Sequence, residues 1–224
     1  MKTLIKFIVL FVTTTIFAQK PIEKTIGEFS ELKVYDLINV ELVKSNENKV
    51  TITGENTEDV LINNKNGTLK IKMKLEEAYD GNKTKVVLHY TTIDVIDVNE
   101  GATVNSDYTI KQFEIDLRAQ EGGIINMPLD VTYANIKAVS GGVIETSGTS
   151  KSQDVSLLTG GVYKGEMLAT EKTEVTIKAA GEAYVKASNL VDVKIRAGGD
   201  VFIYGNPETV NESKVLGGRV KRMN

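Results

Sequence analysis

The sequence predicts an all-β fold: a parallel β-helix with coils of about 19 residues, preceded by a less regular β region. Two observations carry this. Glycine pairs recur at Gly122-Gly123, Gly141-Gly142, Gly160-Gly161, Gly198-Gly199 and Gly217-Gly218, with Gly101-Ala102 and Ala180-Gly181 as degenerate copies. Counted on the second member, the steps are 21, 19, 19, 20, 18 and 19 residues, too short for helical-hairpin repeats and suited to one turn of a β-solenoid. The second observation is a pair of aliphatic columns. Six residues before the second glycine stand Ile96, Leu117, Ile136, Val155, Val175 and Val193; four before it stand Val98, Ala119, Ala138, Leu157, Ile177 and Ile195. Between them lie Asp97, Arg118, Lys137, Ser156, Thr176 and Lys194. Such alternation is a half-buried strand, and one strand per repeat buries its apolar face only by stacking on its neighbours.

The first eighteen residues stand apart. Lys2 and Lys6 precede and enter an apolar run that continues to Ile16-Phe17-Ala18. This reads as a secretory signal peptide, too short for a membrane span, with cleavage near Ala18. Its removal leaves 25 basic against 30 acidic side chains, a net charge of −5. A mildly acidic, mixed-sign surface argues against nucleic acid and anionic membranes as partners. The chain has no cysteine, hence no disulfide framework, and no second stretch of spanning length. The expected product is a soluble exported protein, in the periplasm, at the cell surface or outside the cell. Residues 19–224 read as one domain, an irregular β part over 19–93 followed by regular coils over 94–224.

Within the irregular part, Leu32 to Tyr35, Ile38 to Val43 and Val50 to Thr53 alternate as strands. Glu55 to Ile62 has the composition of one helical turn, with Asn56 or Thr57 as its cap. Asn63 to Gly67 signals a turn, Asn66-Gly67 suiting a tight primed one. Thr68 to Leu75 and Lys85 to Tyr90 are further strands around a polar loop.

Phe29, Leu32-Lys33-Val34, Ile38-Asn39-Val40-Glu41-Leu42 and the run Asn66-Gly67-Thr68-Leu69-Lys70-Ile71-Lys72 together resemble the bacterial head GIN domain family, of auto-transporter-adhesin type. With the glycine-cornered repeats the resemblance extends over nearly all of residues 19–224. It implies a right-handed parallel β-helix on a secreted or envelope protein, and it supplies no catalytic residues. The family often has a proline entering the repeats; this chain reads Thr91-Thr92-Ile93-Asp94.

No catalytic, metal or cofactor motif stands out. His89 is the only histidine, without the partners a metal site or triad needs. An acidic column, Asp116, Asn135, Asp154, Glu174 and Asp192, lacks the nonapeptide spacing of calcium-binding repeats and reads as residues capping their own turns where strands begin. The basic positions Arg118, Lys137, Lys178, Lys194 and Arg196 form a scattered face with no acidic cluster beside it. The glycine pairs read as corners, since no helix follows to make a phosphate cradle. The last copy replaces the aliphatic pair by Ser213 and Lys214, a polar coil that protects an open edge.

After the corner two registers are open. One column reads Val104, Ile125, Ile144, Tyr163, Tyr184 and Phe202, with one extra residue after Gly181 and Gly199, and gives an interior aromatic stack. In the other, Val185 and Ile203 point inward and Tyr184, Phe202 and Tyr204 form an exposed strip suited to sugar stacking. Those three are the candidate ligand-binding residues. Lack of catalytic parts and the resemblance give the expected function: an exported, non-catalytic binding or adhesion module of the cell envelope, its partner a glycan or surface protein. The alternatives are a polysaccharide-active β-helix enzyme and a purely structural scaffold.

Overall fold

The corner that follows the first face of each coil is made by two consecutive residues in the left-handed backbone region. In the early coils these are Glu121-Gly122, Ser140-Gly141 and Thr159-Gly160, with φ between 49° and 76°. The second glycine of those pairs is needed for another reason. A Cβ on Gly142 would lie 2.1 Å from the carbonyl oxygen of Ala119 in the coil below, so the corner closes only without one. From Gly181 onward the left-handed pair moves one residue along, to Ala180-Gly181, Gly198-Gly199 and Gly217-Gly218.

The computed structural model describes residues 21–223; the expected signal peptide lies outside them. The strands are β1 (Ile22–Thr25), β2 (Glu31–Val34), β3 (Asn39–Lys44), β4 (Lys49–Gly54), β5 (Val60–Lys65), β6 (Thr68–Met73), β7 (Thr84–Tyr90), β8 (Val95–Val98) and β9 (Thr103–Asn105). They continue as β10 (Ile110–Gln120), β11 (Ile124–Val139), β12 (Val143–Leu158), β13 (Gly161–Ile177), β14 (Gly181–Ala197), β15 (Asp200–Tyr204), β16 (Thr209–Leu216) and β17 (Arg219–Arg222). Together they build a β-solenoid of about seven turns. The strands β10 to β14 are long because they bend through corners without leaving the ladder.

The first face of each coil precedes the glycine pair. There Val34, Val98, Ala119, Ala138, Leu157, Ile177 and Ile195 stand rung on rung. All of them are buried, as both aliphatic columns require. At the end of the stack Glu212 and Lys214 lie on Val193 and Ile195. The aliphatic pair is therefore replaced by Glu212 and Lys214; Ser213 points outward beside Lys194, which corrects the expected pairing by one residue.

The N-terminal part is built of coils too, stacked out of chain order. β2 and β3 lie directly on β8 and β9, while β6 and β7, later in the chain, stack on their far side. Antiparallel strands then close this end: β5 on β6, β4 on β7 and β1 on β4. The corner between β2 and β3 has no glycine; Asp36 and Leu37 adopt φ of 58° and 62°. The buried Asp36 carboxylate accepts from the backbone N–H of Met73 at 3.0 Å and of Tyr79 at 3.3 Å, which holds this strained corner.

The helical turn expected over 55–62 shrinks to a 3-10 turn, Thr57–Asp59, with Asn56 left-handed and making no side-chain cap. Val60 to Lys65 are instead strand β5, drawn into pairing by the apolar side of β6. Only Asn66-Gly67 remains of the expected turn, as a two-residue hairpin with both φ positive, the primed geometry. At the junction to the coils Asn48 accepts from the Thr91 N–H at 2.8 Å.

The second face, after the glycine pair, decides the register. Val104, Ile125, Ile144 and Tyr163 point inward, and the next rungs are Ala183 and Val201. No extra residue enters after Gly181 or Gly199, and the continuous column into Tyr184 and Phe202 is overturned. A one-residue slip turns every side chain over: it would bury two rings and expose Ala183, Val185, Val201 and Ile203, all of which are buried. Tyr163 stays inside because its ring lies over Gly165, where a Cβ would meet it at 2.4 Å. Its hydroxyl meets Thr146 Oγ1 at 2.8 Å and donates to Gln153 Oε1 at 2.7 Å. Gln153 in turn donates to Thr173 at 2.9 Å, and Thr170 and Thr173 meet at 2.8 Å. Burial pushes the Tyr163 phenol far up.

Candidate functional site

The outward side of the second face is a single ladder of laterally paired residues. In order along the axis it reads Glu41, Asn105, Asn126, Glu145, Lys164, Tyr184, Phe202 and Lys221. From Asn105 to Phe202 this covers roughly 24 Å at the spacing of adjacent strands. Period-two alternation produces it: each of these residues follows an inward position that the core requires.

Tyr184 and Phe202 are half-exposed. Their rings stack with centroids 4.7 Å apart and planes 14° apart. That separation matches the strand spacing, so one ring repeats the other by a one-coil translation. Tyr204 projects from the same face two residues beyond Phe202, paired with Lys186. The sequence-derived trio is thus brought together, facing out. Charges edge the rings. The Tyr184 hydroxyl donates to Glu182 at 3.0 Å, a bond that raises the phenol above its ordinary range. Arg219 grips Asp200 through two bonds of 2.9 and 2.6 Å and holds that carboxyl below the usual range.

At the other end of the ladder lies a groove of about 530 Å³ lined by Asn39, Glu41, Asn82, Lys85, Asn105 and Asn126, among others. Glu41 and Lys85 form an ion pair at 2.6 Å. No side-chain hydrogen bond from another described residue engages the carboxamides of Asn39, Asn82, Asn105 or Asn126, leaving donors and acceptors free in a concave setting. Asn105 and Asn126 turn outward because each follows an inward residue, Val104 and Ile125; Asn39 and Asn82 join them only through the out-of-order stacking of the N-terminal coils.

The first face carries charge. Its acidic column stands on the same outward side as the basic one, two residues away, against the expectation of no acidic neighbours. Arg118 pairs with Asp116, and Lys194 bridges Asp192 at 3.4 Å and Glu174 at 3.8 Å. Asn135 donates to Glu114 at 2.7 Å. These residues sit within continuous strands, so the turn-capping role expected of them gives way to ion pairing that offsets like-charge repulsion. Among the described residues no group of three or more His, Asp or Glu could hold a metal ion. His89 lies on β7, beside Val43 and Lys49. A second exposed aromatic pair, Phe113 and Tyr133, meets edge to face at 5.2 Å. Its residues belong to none of the sequence columns.

A family model described as "Putative auto-transporter adhesin, head GIN domain" matches residues 28–207. The chain belongs to the head GIN domain family. Solved structures are similar over nearly its whole length. A crystal structure of a "putative adhesin" from Bacteroides fragilis has a TM-score of 0.83 at 18% identity, covering 92% of this chain and 98% of that one. Another from Parabacteroides merdae gives 0.70 at 16%, covering 92% and 96%. A "putative lipid binding protein" from Parabacteroides distasonis gives 0.69 at 19%, with the same coverage. At these identities the likeness speaks for the fold. No curated protein matches the chain by sequence. Among the described residues of this head GIN domain, no helix is long and apolar enough to cross a membrane.

Proposed function

We propose that this head GIN domain is an exported, non-catalytic binding module of the bacterial cell envelope, and that the outward ladder of its second face binds carbohydrate. The observation that carries the reading is the half-exposed Tyr184–Phe202 stack with Tyr204 beside it. Rings held on a rigid sheet offer apolar surface at little entropic cost, and the carboxylates that edge them, with the carboxamides at the far end of the ladder, suit sugar hydroxyls. The names of family and neighbours, adhesins among them, agree with binding rather than turnover.

The test is a glycan array followed by titration calorimetry on the strongest hit. Tyr184→Ala and Phe202→Ala should each weaken binding at least about tenfold, in the range found for stacking residues, while changing stability by no more than about 1.5 kcal/mol. Binding that is unchanged by both substitutions would remove the ladder from the reading. Chelator-sensitive turnover of a uronate-rich polysaccharide would replace the binding module by the enzyme alternative. A glycan array without hits, alongside capture of envelope proteins, would favour a scaffold.

A further inference from the structure

The C-terminal end of the solenoid differs from the N-terminal one. Antiparallel strands cover the N-terminal coils, whereas among the described residues β16 pairs only with β14 and β17 only with β15. Among the described residues the far edge of β16 is therefore an open row of backbone donors and acceptors. Which ones are free follows from strand geometry. Leu216 accepts from Gly198 N–H through its carbonyl at 2.9 Å, so Leu216, Lys214 and Glu212 turn their N–H and C=O toward the stack. Asn211, Ser213 and Val215, alternating with them, turn theirs outward. Two apolar side chains are left bare on this strand, Val215 at 72% and Leu216 at 71% exposed.

We infer that this edge pairs with the same edge of a second copy, β16 against β16 antiparallel, centred on Ser213. Antiparallel hydrogen-bonded pairs require outward-turned residues opposite one another. Centring on Ser213 sets Ser213 against Ser213 and Asn211 against Val215. The intervening pairs are then Glu212 against Lys214, twice, and Val210 against Leu216, twice. Each carboxylate meets an ammonium across the dyad, and the bare Leu216 covers Val210, which packs on the core. Sliding by one rung either way puts Glu212 on Glu212 or Lys214 on Lys214, and directly opposed like charges destabilise a ladder. Among these three registers the sequence of the strand thus selects the one centred on Ser213. The pairing is two-fold and consumes the β16 edge of both copies, so through this strand it closes at a dimer instead of growing. The Glu212–Lys214 contact within one copy, 3.2 Å, is compatible with a four-charge cluster across the dyad.

Sedimentation equilibrium of the purified protein tests this with paired charge reversals. The wild type should be dimeric; Glu212→Lys and Lys214→Glu should each weaken association at least about tenfold, since like charges then oppose twice. An equimolar mixture of the two should recover a dimer containing one of each, because every 212–214 contact is again opposite in sign. Both positions are exposed, and circular dichroism would verify that the fold persists. Ser213→Pro, which removes an edge donor without touching the bonds to β14, should also give monomer. A wild type that stays monomeric overturns the inference. So does a dimer indifferent to the reversals, or a mixture that fails to associate.

Discussion

Replacing Tyr163 by phenylalanine removes one oxygen from the middle of the solenoid. The ring keeps its place over Gly165, so no cavity larger than a hydroxyl opens. What changes is hydrogen bonding. Gln153 Oε1 loses its 2.7 Å donor and Thr146 Oγ1 its 2.8 Å partner, and Gln153 and Thr146 are buried. Each buried polar atom left without a partner costs about 1–3 kcal/mol. Gln153 still donates to Thr173, which keeps its amide anchored and places the expected loss near the lower end, about 2–4 kcal/mol in all. For a chain of this size that corresponds to a fall of roughly 4–16 °C in Tm. Equilibrium guanidinium unfolding of wild type, Tyr163→Phe, Thr146→Val and the double variant measures it. The double variant should lose less than the sum, since removing both partners of a bond strands fewer groups. A Tyr163→Phe loss below about 0.5 kcal/mol, or strict additivity, would refute the network as a source of stability.

Two further predictions follow from the ladders. Leu157→Ala should cost about 2–5 kcal/mol and Lys194→Ala no more than about 0.5, in the same denaturant titration; equal losses would contradict the in-out alternation of the first face. Thr68 donates to Glu31 at 2.7 Å and, as the largest influence, holds that carboxyl below its ordinary range. A lowered folded-state value means stability that is present above the unfolded carboxyl's titration and lost as pH falls through the folded one. Thr68→Val should therefore cost about 1 kcal/mol near pH 7, with the deficit shrinking as pH falls through the folded carboxyl's titration; a deficit that persists in acid would assign the loss to packing.

The regular coils were legible because each repeat states the same two facts, an aliphatic pair with a polar residue between and a corner that tolerates no side chain. Six copies of a period-two pattern leave one stacking arrangement that buries all of them. The candidate set Tyr184, Phe202 and Tyr204 was legible as a set but not as to its side. Tyr163, Tyr184 and Phe202 look alike in a column, and only the count of aliphatic neighbours that a slip would expose decides that Tyr163 goes in and the others out. The N-terminal part was readable as strands and no further. Its corner, Asp36-Leu37, carries no glycine, because the carboxylate of Asp36 holds the left-handed backbone through Met73 and Tyr79, residues about 40 positions away. The order of stacking, with β6–β7 outside β2–β3, likewise rests on pairings between strands about 40 residues apart, and local pattern does not encode that. The sequence by itself determined the coil, its inward residues and the chemistry of its outward ones. The tertiary structure alone decided which outward residues share a face, because lateral neighbours in a solenoid lie one whole coil, or one whole detour, apart in the chain.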